Sequence, residues 1–295
     1  MKNKSAFTTL LAAVEKAKNG TPANRDDTDY WRCEQDKGGN GFAIIRFLPA
    51  KSDDDVPFVK TYSHGFQGPA GKWFIEDCPT TIGSDCPVCT ANGPLWSSGL
   101  DSDKELVRKR KRKTSYITNI LVVSDPKHPE NEGKVFLFKF GVKIFDKIKD
   151  KISPPCDDKG NLIDPEDQPM NPFDQDEGAN FKLKMRKVEG YANYDKSEFE
   201  AASEIADWDS IKGQLHDLNA FVDPKNFKSY EELEKKFNTI WSGATAAPKS
   251  DNDDSKFVKE AVAKAAKAEP KKAAATSDDS EDDDLAYFKK LAAED

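Results

Sequence analysis

The sequence predicts an α+β protein with a β-rich core, helices after it, and a metal-binding knuckle set among the strands. Three observations carry that reading. Period-two apolar patterns recur between residues 41 and 188, helical spacing takes over from Trp208, and a histidine with three cysteines crowds into residues 64–89.

Taken in order, the first element is a short arm. Phe7, Leu10, Leu11 and Val14 recur at i, i+3, i+4 and i+7, one face of a helix, and Gly20 and Pro22 stop it. Lys2 and Lys4 precede this stripe and Glu15, Lys16 and Lys18 follow it, so the segment reads as an amphipathic arm rather than a signal peptide. Gly41–Leu48 reads as a mostly buried strand, followed by strands over Phe58–His64 and Lys72–Asp77 on either side of a Gly-rich turn. Tyr116–Val123 and Lys134–Phe140 are two more. Residues 153–178, rich in Pro, Asp and Gly, form a long excursion. Asn180–Val188 then alternates cleanly, with Phe181, Leu183 and Met185 on one side and Lys182, Lys184 and Arg186 on the other. Trp208, Ile211, Leu215 and Leu218 have helical spacing. Ser229 and Glu232 form a capping box ahead of Leu233, Phe237 and Ile240. The chain divides into an arm (1–21), a core (22–243) with a metal subdomain at about 58–115, an Ala/Lys/Ser linker (244–275) and an acidic tail (276–295).

Composition narrows the function class. The chain has 295 residues, 37% hydrophobic and 33% charged, and no apolar run long enough to cross a membrane. Its net charge of −8 argues against a nucleic-acid binder only until the signs are mapped. Residues 276–295 hold eight acids against two lysines, net −6, which leaves −2 for all the rest. Within that remainder lie six consecutive cations, Arg108 to Lys113.

The sharpest motif is His64-x13-Cys78-x7-Cys86-Pro-Val-Cys89. A Cys-x2-Cys knuckle presents two thiolates to one ion, and His64 and Cys78 sit at neighbouring ends of a predicted hairpin. Three thiolates and an imidazole suit one tetrahedral zinc, and a closed four-ligand set is structural. A zinc deaminase would need His-x-Glu and Pro-Cys-x-x-Cys, but Gly65 and Phe66 follow the histidine and Asp85 precedes Cys86. The sequence holds no phosphate-binding loop and no nucleophile triad, so an enzyme is not expected.

The second motif is the basic run, followed by Tyr116. A solvated loop or a localisation signal also produces such a run. Aromatic residues next to cations favour a single-strand binder, in which cations follow phosphates and rings stack on bases. Phe138 beside Lys139, and Tyr191 and Tyr194 just after the basic face of 180–188, complete this pattern.

With these features in place, the chain resembles the single-stranded DNA-binding protein family of T-even-type bacteriophages over nearly its whole length. The stretches that carry the likeness are GNGFAIIRFLP (39–49), SHGF and GKWFIEDC (63–78), CPVC (86–89), KRKTSY (111–116), PENEGKVF (129–136), EGANFKLK (177–184) and NYDKSEF (193–199). The resemblance implies an OB-fold-like β-barrel core with a zinc subdomain and C-terminal helices. It also implies an arm for cooperative self-association and a disordered acidic tail. Such a protein coats single strands without sequence preference in phage replication, recombination and repair, in the cytoplasm of the infected bacterial host. His64, Cys78, Cys86 and Cys89 match the zinc ligands. Arg46, Lys111, Arg112, Lys113, Tyr116, Phe138, Lys182, Lys184, Arg186, Tyr191 and Tyr194 are the expected DNA contacts. Lys2, Lys4 and Ser5 stand in the cooperativity motif, where Lys2-Asn3-Lys4-Ser5-Ala6 replaces the family's more basic stretch. Asp282, Asp283, Asp284, Leu285 and Phe288 are the expected docking residues for phage DNA polymerase, helicase loader and recombination proteins. The alternative from another class is a zinc-containing adaptor whose basic run and tail both contact proteins.

Overall fold

The computed structural model describes residues 29–52 and 55–241. The arm with Lys2, Lys4 and Ser5, the linker, and the tail with Asp282 to Asp284, Leu285 and Phe288 lie outside the described residues.

Eight antiparallel strands form one curled sheet: β1 (Gly41–Phe47), β2 (Phe58–Gln67), β3 (Trp73–Asp77), β4 (Lys113–Ser124), β5 (Val135–Phe140), β6 (Ala179–Val188), β7 (Tyr191–Asn193) and β8 (Glu198–Ala202). The path runs β3-β2-β4-β1-β6-β7, with β5 on β4 and β8 on β6. The twelve-residue β4 organises it, pairing β2 along its first half, β1 along its second and β5 at its middle. A register shift between Ile44 and Ile45 bends β1 against β4. The result is half a barrel, open between its outer strands.

The alternation read from 180–188 holds: Ala179, Phe181, Leu183 and Met185 are buried, and the intervening lysines reach the surface. Phe47 sits at the centre of the main core, its ring 5.6–6.1 Å from Phe140, Phe173, Phe181 and Phe199. A second core joins the β2–β3 hairpin to the last helix through Phe66, Phe74, Phe237 and Trp241.

Helices account for most departures from expectation. Pro87–Ser97 (α1), Asp101–Arg110 (α2) and Val142–Ile152 (α3) were not expected from the sequence. The first carries Pro94 and little apolar periodicity. The second is almost wholly charged, and forms with Asp101 and Asp103 in its first turn and Arg108 to Arg110 in its last, the arrangement its dipole favours. In the third, Val142, Phe145, Ile148 and Ile152 recur at helical spacing and Ile144 and Ile148 are buried, a signal the sequence reading passed over. Conversely, the helix expected through Leu218 covers only Trp208–Lys212 (α4). The Asn119 side chain explains the stop: it donates to the His216 carbonyl at 3.0 Å and accepts from the His216 amide at 2.9 Å, holding that segment against β4. Leu215 and Leu218 therefore pack into separate clusters. The capping box forms as read. Glu232 N donates to Ser229 Oγ at 3.3 Å and Ser229 N to Glu232 Oε2 at 3.1 Å, opening Tyr230–Trp241 (α5).

Candidate metal centre and nucleic-acid interface

His64 lies on β2 facing inward, Cys78 follows the end of β3, Cys86 precedes α1 and Cys89 lies in its first turn. Their ligand atoms all lie within 4.8 Å of one another, and all four residues are buried. Cys78 Sγ is 3.7 Å from Cys89 Sγ, and His64 Nε2 is 3.4 Å from Cys86 Sγ and 3.6 Å from Cys89 Sγ. A tetrahedron with zinc–sulfur bonds of 2.3 Å has S···S edges of about 3.8 Å and S···N edges of about 3.6 Å. The donor set therefore fits a four-coordinate ion in both chemistry and spacing. The second imidazole nitrogen is also held: His64 Nδ1 lies 3.1 Å from the Arg110 carbonyl, which fixes its proton there and leaves Nε2 for a metal. Burial lowers the His64 pKa, but Cys78 and Cys86 outweigh it and push it up to about 10. Neighbouring sulfurs depress Cys78 and raise Cys89, since three adjacent thiols cannot all ionise without a cation.

The six-cation run is not a continuous stripe. It spans the end of α2 and the start of β4, so its members point different ways. Arg108, Lys109 and Lys113 are exposed and Lys111 is half-buried. Arg110 is buried. Its Nε donates to Asn92 Oδ1, and its guanidinium lies 4.9 Å from the Trp241 ring centre and 5.5 Å from that of Phe237. Arg112, only 4% exposed, stacks 3.9 Å over the Tyr62 ring and donates from Nη1 to Thr80 Oγ1 at 2.7 Å.

That stack exposes residues the sequence reading missed. Tyr62 is half-buried, with Lys60 Nζ 5.5 Å from its ring centre as a second cation. Phe58, Lys60, Tyr62 and His64 alternate onto one face of β2, and the register sets Tyr62 opposite Thr114 and Lys60 opposite Tyr116. One row of side chains thus runs from the metal ligand through a cation–aromatic stack to Phe58. Phe58 in turn meets Phe145 of α3 edge-on at 5.2 Å. The signal was there in Lys60-Thr61-Tyr62-Ser63-His64, which alternates into the metal histidine.

Besides Arg112, three further expected contacts are buried. Arg46 is 1% exposed, and its Nη2 donates to the Asp174 carbonyl at 2.7 Å and the Ser203 carbonyl at 2.9 Å. It ties the long excursion and β8 to β1. Tyr116 is buried flat against Phe145, ring centres 3.8 Å apart, and Phe138 is buried edge-on to Trp31 at 5.4 Å. Both belong to the main core, because even-numbered positions of β4 and β5 face inward.

The basic face of β6 is matched by acids. Lys182 pairs with Glu200 at 3.0 Å, Lys184 with Glu198 at 2.7 Å, and Arg186 with Asp195 at 3.9 Å. Tyr191 and Tyr194 are half-buried beside this face. Tyr194 backs onto the core and lines a depression of about 240 Å³ with Lys143, Asp146, Lys147 and Asp195. Burial raises its pKa, with Cys33 adding to the effect. Lys143 and Lys147 were missed because α3 was missed.

Comparison with known proteins agrees with this geometry. Residues 39–241 match the family described as gp32 DNA binding protein like. A single-stranded DNA-binding protein of Enterobacteria phage T4 is 40% identical over 261 residues, 82% of each chain. One of Enterobacteria phage T2 is 39% identical over 269 residues, 85% of this chain and 84% of the relative. The matched segment opens just before β1 and closes at Trp241, the last described residue, so it takes in the half-barrel, the four buried ligands and α5. The chain belongs to the gp32-like DNA-binding protein family.

Proposed function

We propose that this protein binds single-stranded DNA without sequence preference and serves phage DNA replication, recombination and repair, coating the strand without making or breaking bonds in it. The observation that carries the reading is the Arg112–Tyr62–Lys60 stack, two residues along β2 from the buried His64. An aromatic ring in contact with two cations, with exposed cations alongside, suits the chemistry of a single-strand path. The names of the T4 and T2 relatives support it.

In this reading the curled sheet is an OB-fold-like core, and residues 58–115 form its zinc subdomain. One zinc ion on His64, Cys78, Cys86 and Cys89 is structural, cross-linking β2, β3 and α1. Lys111 and Lys113, with Arg108 and Lys109, meet phosphates, while Tyr62, Tyr191 and Tyr194 offer faces to bases. Lys182, Lys184 and Arg186 contribute when a phosphate replaces the acid each now pairs with. Arg46, Arg112, Tyr116 and Phe138 support the path from behind. The arm, through Lys2, Lys4 and Ser5, controls self-association along the strand. The tail, through Asp282 to Asp284, Leu285 and Phe288, recruits polymerase, helicase loader and recombination proteins in the infected cell.

The test is a fluorescence titration of the full chain with oligo(dT) and with duplex of equal length at several salt concentrations. Preferential binding to the single strand, with log K falling as log salt rises by roughly 0.7 per phosphate contacted, is expected. Equal affinity for duplex, or none for either, would overturn the proposal.

A further inference from the structure

Arg112 and Cys78 meet on one hydroxyl. The short helical turn Pro79–Ile82, which follows β3, carries two threonines whose side chains serve different partners. Thr81 Oγ1 accepts from the Tyr62 amide at 2.9 Å, and the Cys78 amide donates to the Tyr62 carbonyl at 2.8 Å. The turn is thus laced to the main chain of Tyr62 on both sides. Thr80, half-buried, faces the other way: its Oγ1 lies 2.7 Å from Arg112 Nη1 and 3.1 Å from Cys78 Sγ.

Donor chemistry fixes the direction of both bonds. A guanidinium has no acceptor, so Arg112 donates and a lone pair of the Thr80 hydroxyl receives. The hydroxyl proton is then left to Cys78 Sγ, the one acceptor it meets among the described residues. A cysteine that ligates a metal does so as a thiolate, which can only accept. The chain Arg112 Nη1–H to Thr80 Oγ1–H to Cys78 Sγ therefore runs one way. It starts at the guanidinium stacked 3.9 Å over the Tyr62 ring and ends on one of the four buried candidate ligands. Bonds in such a chain polarise one another, so each is stronger for the presence of the other.

We propose that Thr80 is a positioning residue that couples the metal centre to the single-strand path: its hydroxyl donates to the Cys78 thiolate and aims Arg112 over Tyr62. This rests on the reading above, in which Tyr62 offers its ring to bases and the four ligands hold zinc. Arg112 is only 4% exposed, so an acceptor lost at Nη1 is not simply replaced by bulk water. A thiolate that accepts a hydrogen bond gives less charge to its metal, and partners that orient a ligand in this way are worth about 10- to 100-fold in metal affinity. One hydroxyl therefore bears on both sites, although Thr80 is neither a ligand nor a DNA contact.

The experiment compares wild type, Thr80→Val and Thr80→Ser as full chains, each loaded with zinc for binding and with cobalt(II) for spectroscopy. Valine keeps the shape of threonine and removes the hydroxyl; serine keeps the hydroxyl. Thr80→Val should hold zinc roughly tenfold more weakly against a competing chelator and shift the sulfur-to-cobalt charge-transfer bands. It should also bind oligo(dT) roughly threefold or more weakly, the scale of a misplaced cation–ring contact. Thr80→Ser should restore all three. Arg112→Met approaches from the other end: it should shift the cobalt bands when residue 80 is threonine and leave them in place when it is valine. Unshifted bands in both Thr80→Val and Arg112→Met overturn the proposal, as does a serine variant that behaves like valine. Wild-type oligo(dT) binding that Thr80→Val leaves unchanged sinks the coupling alone. A wild type that binds no oligo(dT) sinks the single-strand reading first, and the coupling with it.

Discussion

His64 Nδ1 lies 3.1 Å from the main-chain carbonyl of Arg110, so the imidazole that faces three thiols also grips the centre of the basic run. The metal site and the cations are one mechanical unit. A metal held there would cross-link β2, β3 and α1 and, through this hydrogen bond, brace the junction where α2 ends and β4 begins.

Removing the metal should loosen that junction first. Structural zinc binding supplies on the order of 10–16 kcal/mol of apparent free energy, as much as the whole net stability of an ordinary domain. Cys86→Ser should lower Tm sharply, reduce bound zinc from one per chain, and raise amide exchange at residues 110–113 before it does so at β6. Metal analysis and hydrogen exchange on the same sample check this. Full protection at 110–113 in a metal-free variant would contradict it.

The ion pairs on β6 should cost affinity without adding stability. Exposed pairs of this kind contribute about 0–1 kcal/mol, so Glu198→Gln with Glu200→Gln should leave Tm nearly unchanged. Freed of their partners, Lys184 and Lys182 should then tighten oligo(dT) binding and steepen its salt dependence by up to about 0.7 per lysine. Lys111→Gln should shift the slope the opposite way. Superimposable titrations of the double variant and wild type would place the strand away from β6.

Most of the sheet and the cluster of His64 and three cysteines that could hold a metal were legible in the sequence because each leaves a short-range signal. Phe181, Leu183 and Met185 alternate, and Cys86 and Cys89 keep ligand spacing whatever surrounds them. The binding surface could not be read as well. Arg110 and Arg112 look like Arg108 in the sequence, but the helix-to-strand change at Lys111 turns them onto Trp241 and Tyr62. Arg46 interrupts an apolar strand, as a ligand-binding cation would, yet two carbonyls brought from residues 174 and 203 claim it. Those partners are set by tertiary structure and have no local trace.

His128 should act as a modest pH-dependent clasp. Its Nε2 lies 2.6 Å from Glu34 and its Nδ1 3.0 Å from Glu130, tying the start of the core to the β4–β5 connection. The hydrogen bond to Glu34, then that to Glu130, raises the His128 pKa; Glu34 is lowered chiefly by His128, and Glu130 chiefly by its own backbone amide and then by His128. A raised histidine stabilises fully below its unfolded value near 6.5 and loses the effect as pH rises through its folded value. The carboxylates lose theirs as pH falls toward about 4. The difference in Tm between wild type and His128→Gln should therefore peak between roughly pH 5 and 6.5 and vanish at alkaline pH. A difference that is flat across that range would contradict the clasp.

The acidic tail should compete with DNA for the exposed cations. Deleting residues 276–295 removes a net charge of −6 and leaves −2. Binding to oligo(dT) should tighten, most at low salt, and the gain should fade as the Debye length shrinks toward about 3 Å near 1 M salt. Paired salt titrations of the full and shortened chains measure it. Coincident curves would reduce the tail to a solubilising appendage.

The central claim is that the Tyr62 ring, in contact with two cations beside the candidate metal site, forms part of the single-strand path, and Tyr62 tests it most directly. Tyr62→Ala and Tyr62→Phe should be titrated with oligo(dT) across a range of salt, with zinc content confirmed at one per chain in both. Loss of the ring should weaken binding by roughly 1–3 kcal/mol, about 5- to 150-fold, with the salt slope unchanged, and phenylalanine should restore most of it. Wild-type affinity in a folded, zinc-bound Tyr62→Ala chain would show that DNA passes elsewhere.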